Sequence, residues 1–322
     1  MKRVYKAALV FVIIGVALFL FLSYKTMYQQ NNSIPILEYH NLTVDPGKVD
    51  SWTLSAKDFD NQISYLKENC HVVPLKSLLG NIDNGIPVPD HTVAITFDDG
   101  YQSNYTLAYP ILEKYQTPAT FFIVGKYVQN NGGGYQSMTW DELKLMNSSG
   151  LIDIESHSYD LHHRVPGSPK SDWAPAALTH IMINGKAEDQ KQYDQRIQSD
   201  LTQARQDIKA QLGYDSDILC WPYGANDKHS TTLARQAGFK YMIGGTGYIH
   251  PSANIEDVHR MPVMGGMNLQ EFEKTVNPDK VNFFQAMGLE LKRIELRLPR
   301  CIWKSNHPDH LSGLVPFRFY LT

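Results

Sequence analysis

Cysteine is scarce in this chain, with Cys70, Cys220 and Cys301 the only three among 322 residues. Three cannot build a disulfide framework, and no C-x-x-C spacing occurs, so a cysteine-ligated zinc site is excluded as well. A charge excess is missing too. The 30 basic and 33 acidic residues leave a formal net charge of −3, which offers no electrostatic footprint for nucleic acid. Charged residues make up only 20% of the chain and apolar ones 43%. That balance supplies a full core and argues against disorder, collagen-like repeats or a coiled coil for the whole chain. No internal repeat is visible. The length fits one or two domains, and one α/β barrel fills most of it.

Long apolar runs are absent with one exception. Residues 1–6 read MKRVYK, with Lys2, Arg3 and Lys6 basic. Residues 7–24 follow as an uncharged apolar run closed by Ser23 and Tyr24. As a helix it would span about 27 Å, close to the hydrocarbon thickness of a bilayer. The preceding positive charges predict a cytoplasmic N-terminus and an exported remainder. A cleaved signal peptide is the alternative, but LFLSYKTMYQQ lacks a small-x-small cleavage pattern. A buried core helix fits this position and charge pattern poorly. Residues 25–33, ending in YQQNNS, read as a polar linker.

Strand and helix patterns alternate from residue 34 to about 265. Apolar or β-branched runs predict strands at Ile34–Tyr39, Thr92–Phe97, Ala119–Val124, Ile152–Glu155, Asp217–Trp221, Tyr241–Ile243 and Arg260–Val263. Helical spacing appears at Ser55–Glu68, where Phe59, Ile63 and Leu66 share a face below a Ser55 cap. It recurs at Asn104–Tyr115, Thr139–Met146, Ala187–Leu212 and Ser230–Ala237. The longest of these repeats Tyr193, Ile197, Leu201, Ala204, Ile208 and Leu212. Such alternation predicts parallel βαβ units in a barrel or an open sheet. The segment 34–278 is the expected folded domain. The tail 279–322 carries Lys292, Arg293, Arg297, Arg300, Lys304 and Arg318 against fewer acids. Phe283–Leu298 reads as a helix. The tail is read as a peripheral segment, with attraction to an anionic surface polymer or lipid as the alternative.

Ionisable residues gather where predicted strands end, the end that carries chemistry in α/β barrels. One cluster is Thr96-Phe97-Asp98-Asp99-Gly100-Tyr101. Two carboxylates after an apolar strand are costly unless neutralised. Another is His157-Ser158-Tyr159-Asp160-Leu161-His162, whose histidines are five apart and can converge from a loop. The third is Trp221-Pro222-Tyr223-Gly224, a tight turn able to expose a backbone N–H. One carboxylate with two imidazoles suits a divalent metal that keeps open positions, and the second carboxylate is then free as a base. Taken singly, an Asp-Asp pair is more often a helix cap or turn, and a lone loop histidine is usually just solvated. Their conjunction at three strand ends is what carries the reading.

These motifs resemble the polysaccharide deacetylases with a NodB-type domain, carbohydrate esterase family 4. TFDDG at 96–100 matches the family's first motif. His157-x4-His162 matches its histidine motif as spaced in the circularly permuted branch that deacetylates poly-N-acetylglucosamine. WPYG at 221–224 resembles its third motif. The resemblance covers about residues 34–275 and implies a distorted (β/α)7-type barrel, here preceded by one transmembrane helix. It further implies Asp99, His157 and His162 as ligands of one divalent metal, zinc as is usual in the family, with Asp98 as general base. The Tyr223 N–H would help bind the oxyanion. The usual late acid histidine has no match, since His259 in VHRMPVMGG precedes its strand. The permuted branch instead begins with a strand ending Tyr-His, which makes His40 of PILEYH the candidate acid. Two family features have no evident counterpart. One is the arginine that steadies the base, absent from Leu219-Cys220-Trp221. The other is the Asp-x-x-Asp-Trp motif, for which Asp257 is a weak stand-in.

The implied activity is N-deacetylation of an extracellular N-acetylglucosamine polymer, foremost the β-1,6-linked one, by an enzyme held at the membrane by its N-terminal helix, or secreted if that helix is cleaved. Peptidoglycan or chitin oligomers, or O-acetyl esters on a surface glycan, are the alternatives within that chemistry. Outside it stand a glycan-binding module with a dead site and a metallophosphoesterase. Tyr101, Trp140, Tyr159, Trp221 and Tyr223 are expected to line a sugar groove.

Overall fold

The computed structural model describes residues 2–130, 134–166, 173–183, 185–278 and 280–297. The chain divides into two units, Asn31–Asp279 and Met1–Gln30 with Lys280–Thr322. In the first, seven parallel strands form a closed ring. They are β1 (Ile36–Tyr39), β2 (Thr92–Phe97), β3 (Ala119–Ile123), β4 (Ile152–Ser156), β5 (Ile218–Cys220), β6 (Tyr241–Thr246) and β7 (Val258–Pro262). They pair in chain order, and β1 closes the ring by pairing with both β7 and β2. A two-residue strand, His71–Val72, adds to β2 outside the ring. The expected seven-stranded barrel is therefore the observed one.

Side chains alternate across each strand, and the two faces have different partners. Leu37, Tyr39, Ile95, Phe97 and Phe121 pack against Phe59, Ile63 and Leu66 of the helix Ala56–Asn69. That helix begins at Ser55, whose side chain accepts from the Asp58 N–H. Ile36, Ala94, Phe122, Ile218, Ile243 and Val258, on the opposite face, pack against Leu75, Leu78, Leu79 and Ile82 of the helix Leu75–Asp83. Parity puts Glu38, Thr96, Asp98 and Arg260 on this second face, further along the same strands. One end of the barrel interior is thus apolar and helix-covered, and the other is polar.

The longest helix of this unit, Gln190–Leu212, starts from a capping box of Asp189 and Gln192 and ends at Gly213 in the left-handed region. Its Tyr193, Ile197 and Leu201 bury against Leu219, Trp221 and Met242. Two small elements are absent from the sequence reading. A two-stranded flap pairs Asn41–Thr43 with Thr53–Ser55, and a hairpin pairs Arg164–Pro166 with Trp173–Pro175.

The other unit begins with a helix that runs from Lys2 to Asn31, the first residue of the barrel unit. The expected linker at 25–33 is therefore helical to Asn31, because its Lys, Met, Tyr and Gln residues extend a helix at little cost. Its Val10–Gln29 segment has a mean hydropathy of 2.1 and is long and apolar enough to cross a membrane. The expected tail helix is present at Phe283–Arg297. The tail beyond 297, including Cys301, lies outside the described residues.

Candidate active site and metal centre

The polar end of the barrel opens into a cleft of about 580 Å³ lined by His40, Asp98, Asp99, His157, His162 and Tyr223 among others. All six sequence-predicted site residues line this cleft. A row of stacked rings underlies the first two strand ends. Tyr39, Phe97 and Phe121 are register partners on β1, β2 and β3, with centroids 5.2 and 4.6 Å apart. Just past this row the Asp98 N–H donates to the Tyr39 carbonyl at 2.9 Å, and Asn104 Nδ2 donates to the His40 carbonyl at 2.8 Å. His40 and Asp98 are thereby fixed side by side, with His40 Nε2 4.0 Å from Asp98 Oδ2.

Asp99, Ser158 and Tyr223 all have positive φ, at 71°, 70° and 60°. Left-handed backbone costs a non-glycine residue about 1 kcal/mol or more. Its recurrence at three converging strand ends marks them as shaped for a task rather than for chain economy. At the third, Gly224 also has φ +63, and a Cβ there would lie 2.3 Å from the Gly244 carbonyl oxygen. Only glycine allows the turn to seat so closely on β6.

The two histidines converge as expected, with ring centroids 5.1 Å apart. His157 Nδ1 lies 2.8 Å from the Cys220 carbonyl, an acceptor only. Nδ1 therefore carries the proton, and the lone pair of Nε2 is turned to Asp99. Burial pulls the His157 imidazole down to about 4, so it is neutral, the form that ligates metals. Asp99 Oδ1 lies 3.4 Å from His157 Nε2 and 3.0 Å from His162 Nε2. It meets neither with hydrogen-bond geometry and is a buried acceptor without a donor. Burial pushes His162 down, but the Asp99 carboxylate more than offsets this and raises it. The loop between the histidines hangs on Asp200 of the long helix, which accepts from the Tyr159 and Asp160 N–H groups at 2.9 and 2.7 Å.

Asp98 is handled differently. Arg260 of β7 grips it with two nitrogens at 2.7 and 2.6 Å and also donates to Thr96 Oγ1 at 2.9 Å. Burial pushes the Asp98 carboxyl up, and the guanidinium more than offsets this, holding it well below the ordinary carboxylate range. The same guanidinium reaches Cys220 Sγ at 3.1 Å and Glu38 Oε1 at 3.4 Å.

Three groups of side chains are close enough to share a cation: Asp99–His157–His162, Asp98–His157–Cys220 and Glu38–His40–Asp98. Arg260 already touches a member of the last two. Burial also pushes the Cys220 thiol up, so it is no ready thiolate ligand. The first group alone has no arginine contact and holds the orphaned oxygen. Its residues therefore fit one divalent metal.

Arg260 is the residue missed in the sequence. Near Leu219-Cys220-Trp221 there is indeed no arginine, but β7 supplies one from across the barrel. The signal was present, since an arginine inside an apolar strand must find an acid. Asp257 pairs with His259 at 3.5 Å, and His259 lies within β7 rather than before it. The aromatic expectation is met at three of five positions. Tyr101, Tyr223 and the otherwise buried Trp221 line the cleft, and Trp140 and Tyr159 do not. Trp52 of the flap, not foreseen, is 53% exposed and tilts over His40 at 4.7 Å.

Residues 85–242 match the polysaccharide deacetylase family. The chain carries a polysaccharide deacetylase domain. Similar proteins include the poly-beta-1,6-N-acetyl-D-glucosamine N-deacetylase of Escherichia coli K12, 21% identical over 260 residues, 76% of this chain and 39% of that protein. The chain thus spans about two fifths of that relative's length. The Staphylococcus aureus protein of the same name is 26% identical over 67% of this chain and 73% of its own. Among solved structures, the de-N-acetylase from Aggregatibacter actinomycetemcomitans superposes with a TM-score of 0.67 at 27% identity, covering 75% of this chain and 99% of that one. IcaB from Ammonifex degensii shares the deacetylase fold, with a TM-score of 0.64 at 23% identity over 78% and 98%.

Proposed function

We propose that the chain is a metal-dependent N-deacetylase of an N-acetylglucosamine polymer, with the β-1,6-linked polymer as its foremost substrate. The observation that carries this is the buried, donorless Asp99 oxygen facing two imidazoles, next to a carboxylate that Arg260 keeps ionised. Asp99, His157 and His162 would hold one divalent ion, zinc in this reading. When bound, such an ion polarises a carbonyl oxygen and makes a water acidic enough to serve as nucleophile near neutral pH.

The chain's own residues do the rest. Asp98, ionised and fixed by its two-nitrogen contact, accepts the proton of the attacking water. The Tyr223 N–H, on its left-handed turn, donates to the oxygen that gains charge as the amide carbon becomes tetrahedral. His40 gives a proton to the sugar nitrogen as the C–N bond breaks, since an unprotonated amine leaves poorly. Acetate and a glucosamine residue are the products. The aromatic faces of Trp52 and Tyr223, 53% and 45% exposed, suit the C–H faces of a sugar ring. The helix spanning Val10–Gln29 would hold the domain at the outer face of a membrane.

Acetate release from β-1,6-linked N-acetylglucosamine oligomers tests this, using the detergent-purified full chain as isolated, after chelation, and after zinc is restored. Zinc-restored release is expected, favouring these oligomers over chitin and peptidoglycan fragments. Release only from the latter would move the substrate. No release with zinc demonstrably bound would overturn the deacetylase reading.

A further inference from the structure

The two imidazoles that face Asp99 are held by different means. The His157 ring is buried and fixed directly, by its Nδ1 contact to the Cys220 carbonyl at 2.8 Å. His162 is half-buried and leans on the Tyr223 ring at 4.7 Å. Its firm hold is at the backbone, where Tyr127 Oη donates to the His162 carbonyl at 2.9 Å. The aim of His162 Nε2 therefore depends on how the loop from 157 to 162 is set.

That loop is gripped from two sides. The Gly125 and Lys126 N–H groups donate to the Ser158 and Tyr159 carbonyls at 3.1 and 2.9 Å. On the other side, Asp200 takes the Tyr159 N–H on Oδ1 and the Asp160 N–H on Oδ2, at 2.9 and 2.7 Å. Those two donors directly follow Ser158, whose φ is 70°, so the bonds help hold a strained residue in place. Asp200 itself stands on a fixed base, since Ile197 and Leu201 of the same helix are buried in the core. It makes no ion pair among the described residues. A carboxylate removed from water without a cation is costly, and packing alone does not call for one here.

We propose that Asp200 is a positioning residue for the metal centre. By holding two consecutive N–H groups it sets where His162 presents Nε2, and so sets the affinity for a divalent ion. Tyr127 supports the same ligand from its carbonyl. The inference rests on the metal-dependent reading and extends it to two residues that do not line the cleft.

The test measures zinc affinity of the full chain by competition with chelators of graded strength. Asp200→Asn keeps the shape, but its amide can accept only one of the two N–H groups and turns a donor on the other. It should weaken zinc about 10- to 100-fold, and Tyr127→Phe should weaken it about two- to tenfold. Asp194→Asn, on the same helix but paired with His229, should leave the affinity within about twofold. In a His162→Ala background, Asp200→Asn should change zinc affinity by less than about twofold, because the ligand it positions is gone. Hydrogen exchange should show lost protection at the Tyr159 and Asp160 N–H groups and none at Ile197 and Leu201. An unchanged affinity in Asp200→Asn, an equal loss in both backgrounds, or protection lost along the whole helix overturns the proposal. No zinc binding by the unmodified chain would instead sink the metal reading, and this inference with it.

Discussion

Asp98 and Asp99 are consecutive, both buried, and neutralised in opposite ways. Asp98 meets a fixed guanidinium through two hydrogen bonds. Asp99 meets two imidazoles and keeps one oxygen without a donor. A buried carboxylate needs a compensating charge. The fold gives one a permanent guanidinium and the other only two imidazoles. In the proposed reading, the carboxylate whose cation is part of the chain serves as the base, and the one without an arginine partner is a candidate metal ligand.

The largest effect expected from breaking this comparison is on Asp98. Asp98→Asn keeps the shape but removes the proton acceptor, so kcat should fall about 10²- to 10⁴-fold, with zinc content by elemental analysis unchanged. Zinc loss in that variant would mean the two carboxylates are not divided as described. Next is Arg260→Met. It leaves a buried carboxylate without its partner, and denaturant titration should show a loss of about 3–5 kcal/mol. The same variant sharpens the comparison if it still folds at low temperature. With the guanidinium gone, Glu38, His40 and Asp98 become cation-competent, and zinc per chain should rise from one toward two. Arg260→Lys keeps the charge but loses the fork, so it should retain a stoichiometry of one.

The smallest effect concerns Asp200, which hangs the histidine loop on the long helix. Burial raises its carboxyl from the ordinary 3.8 to about 6. The folded chain therefore binds that proton more tightly than the unfolded chain. Its contribution to stability is fully present below about 4 and is lost as pH rises through about 6. Asp200→Asn should flatten this part of the thermal-stability profile of the zinc-free protein between pH 4 and 6. An unchanged profile would show that another group carries it.

Much of the site was legible because its parts are local. TFDDG, HSYDLH and WPYG each place their residues at one strand end, and strand–helix alternation sends those ends to one side of the barrel. Arg260 was not legible in the same way. It reaches Asp98 across 162 positions, through a ring closure in which β1 sits between β7 and β2. Trp52 was hidden because it stands in the turn before Thr53–Ser55, and the flap's strands are only three residues each, too short for a period to show. The helical continuation through 25–31 was misread because polar composition alone does not end a helix.

Anomalous diffraction at the zinc absorption edge, from crystals of the protein grown with zinc, tests the central claim most directly. One peak among Asp99 Oδ1, His157 Nε2 and His162 Nε2, with none beside Arg260, is the predicted result. A peak among Glu38, His40 and Asp98, or no peak at saturating zinc, would contradict the division of the two carboxylates.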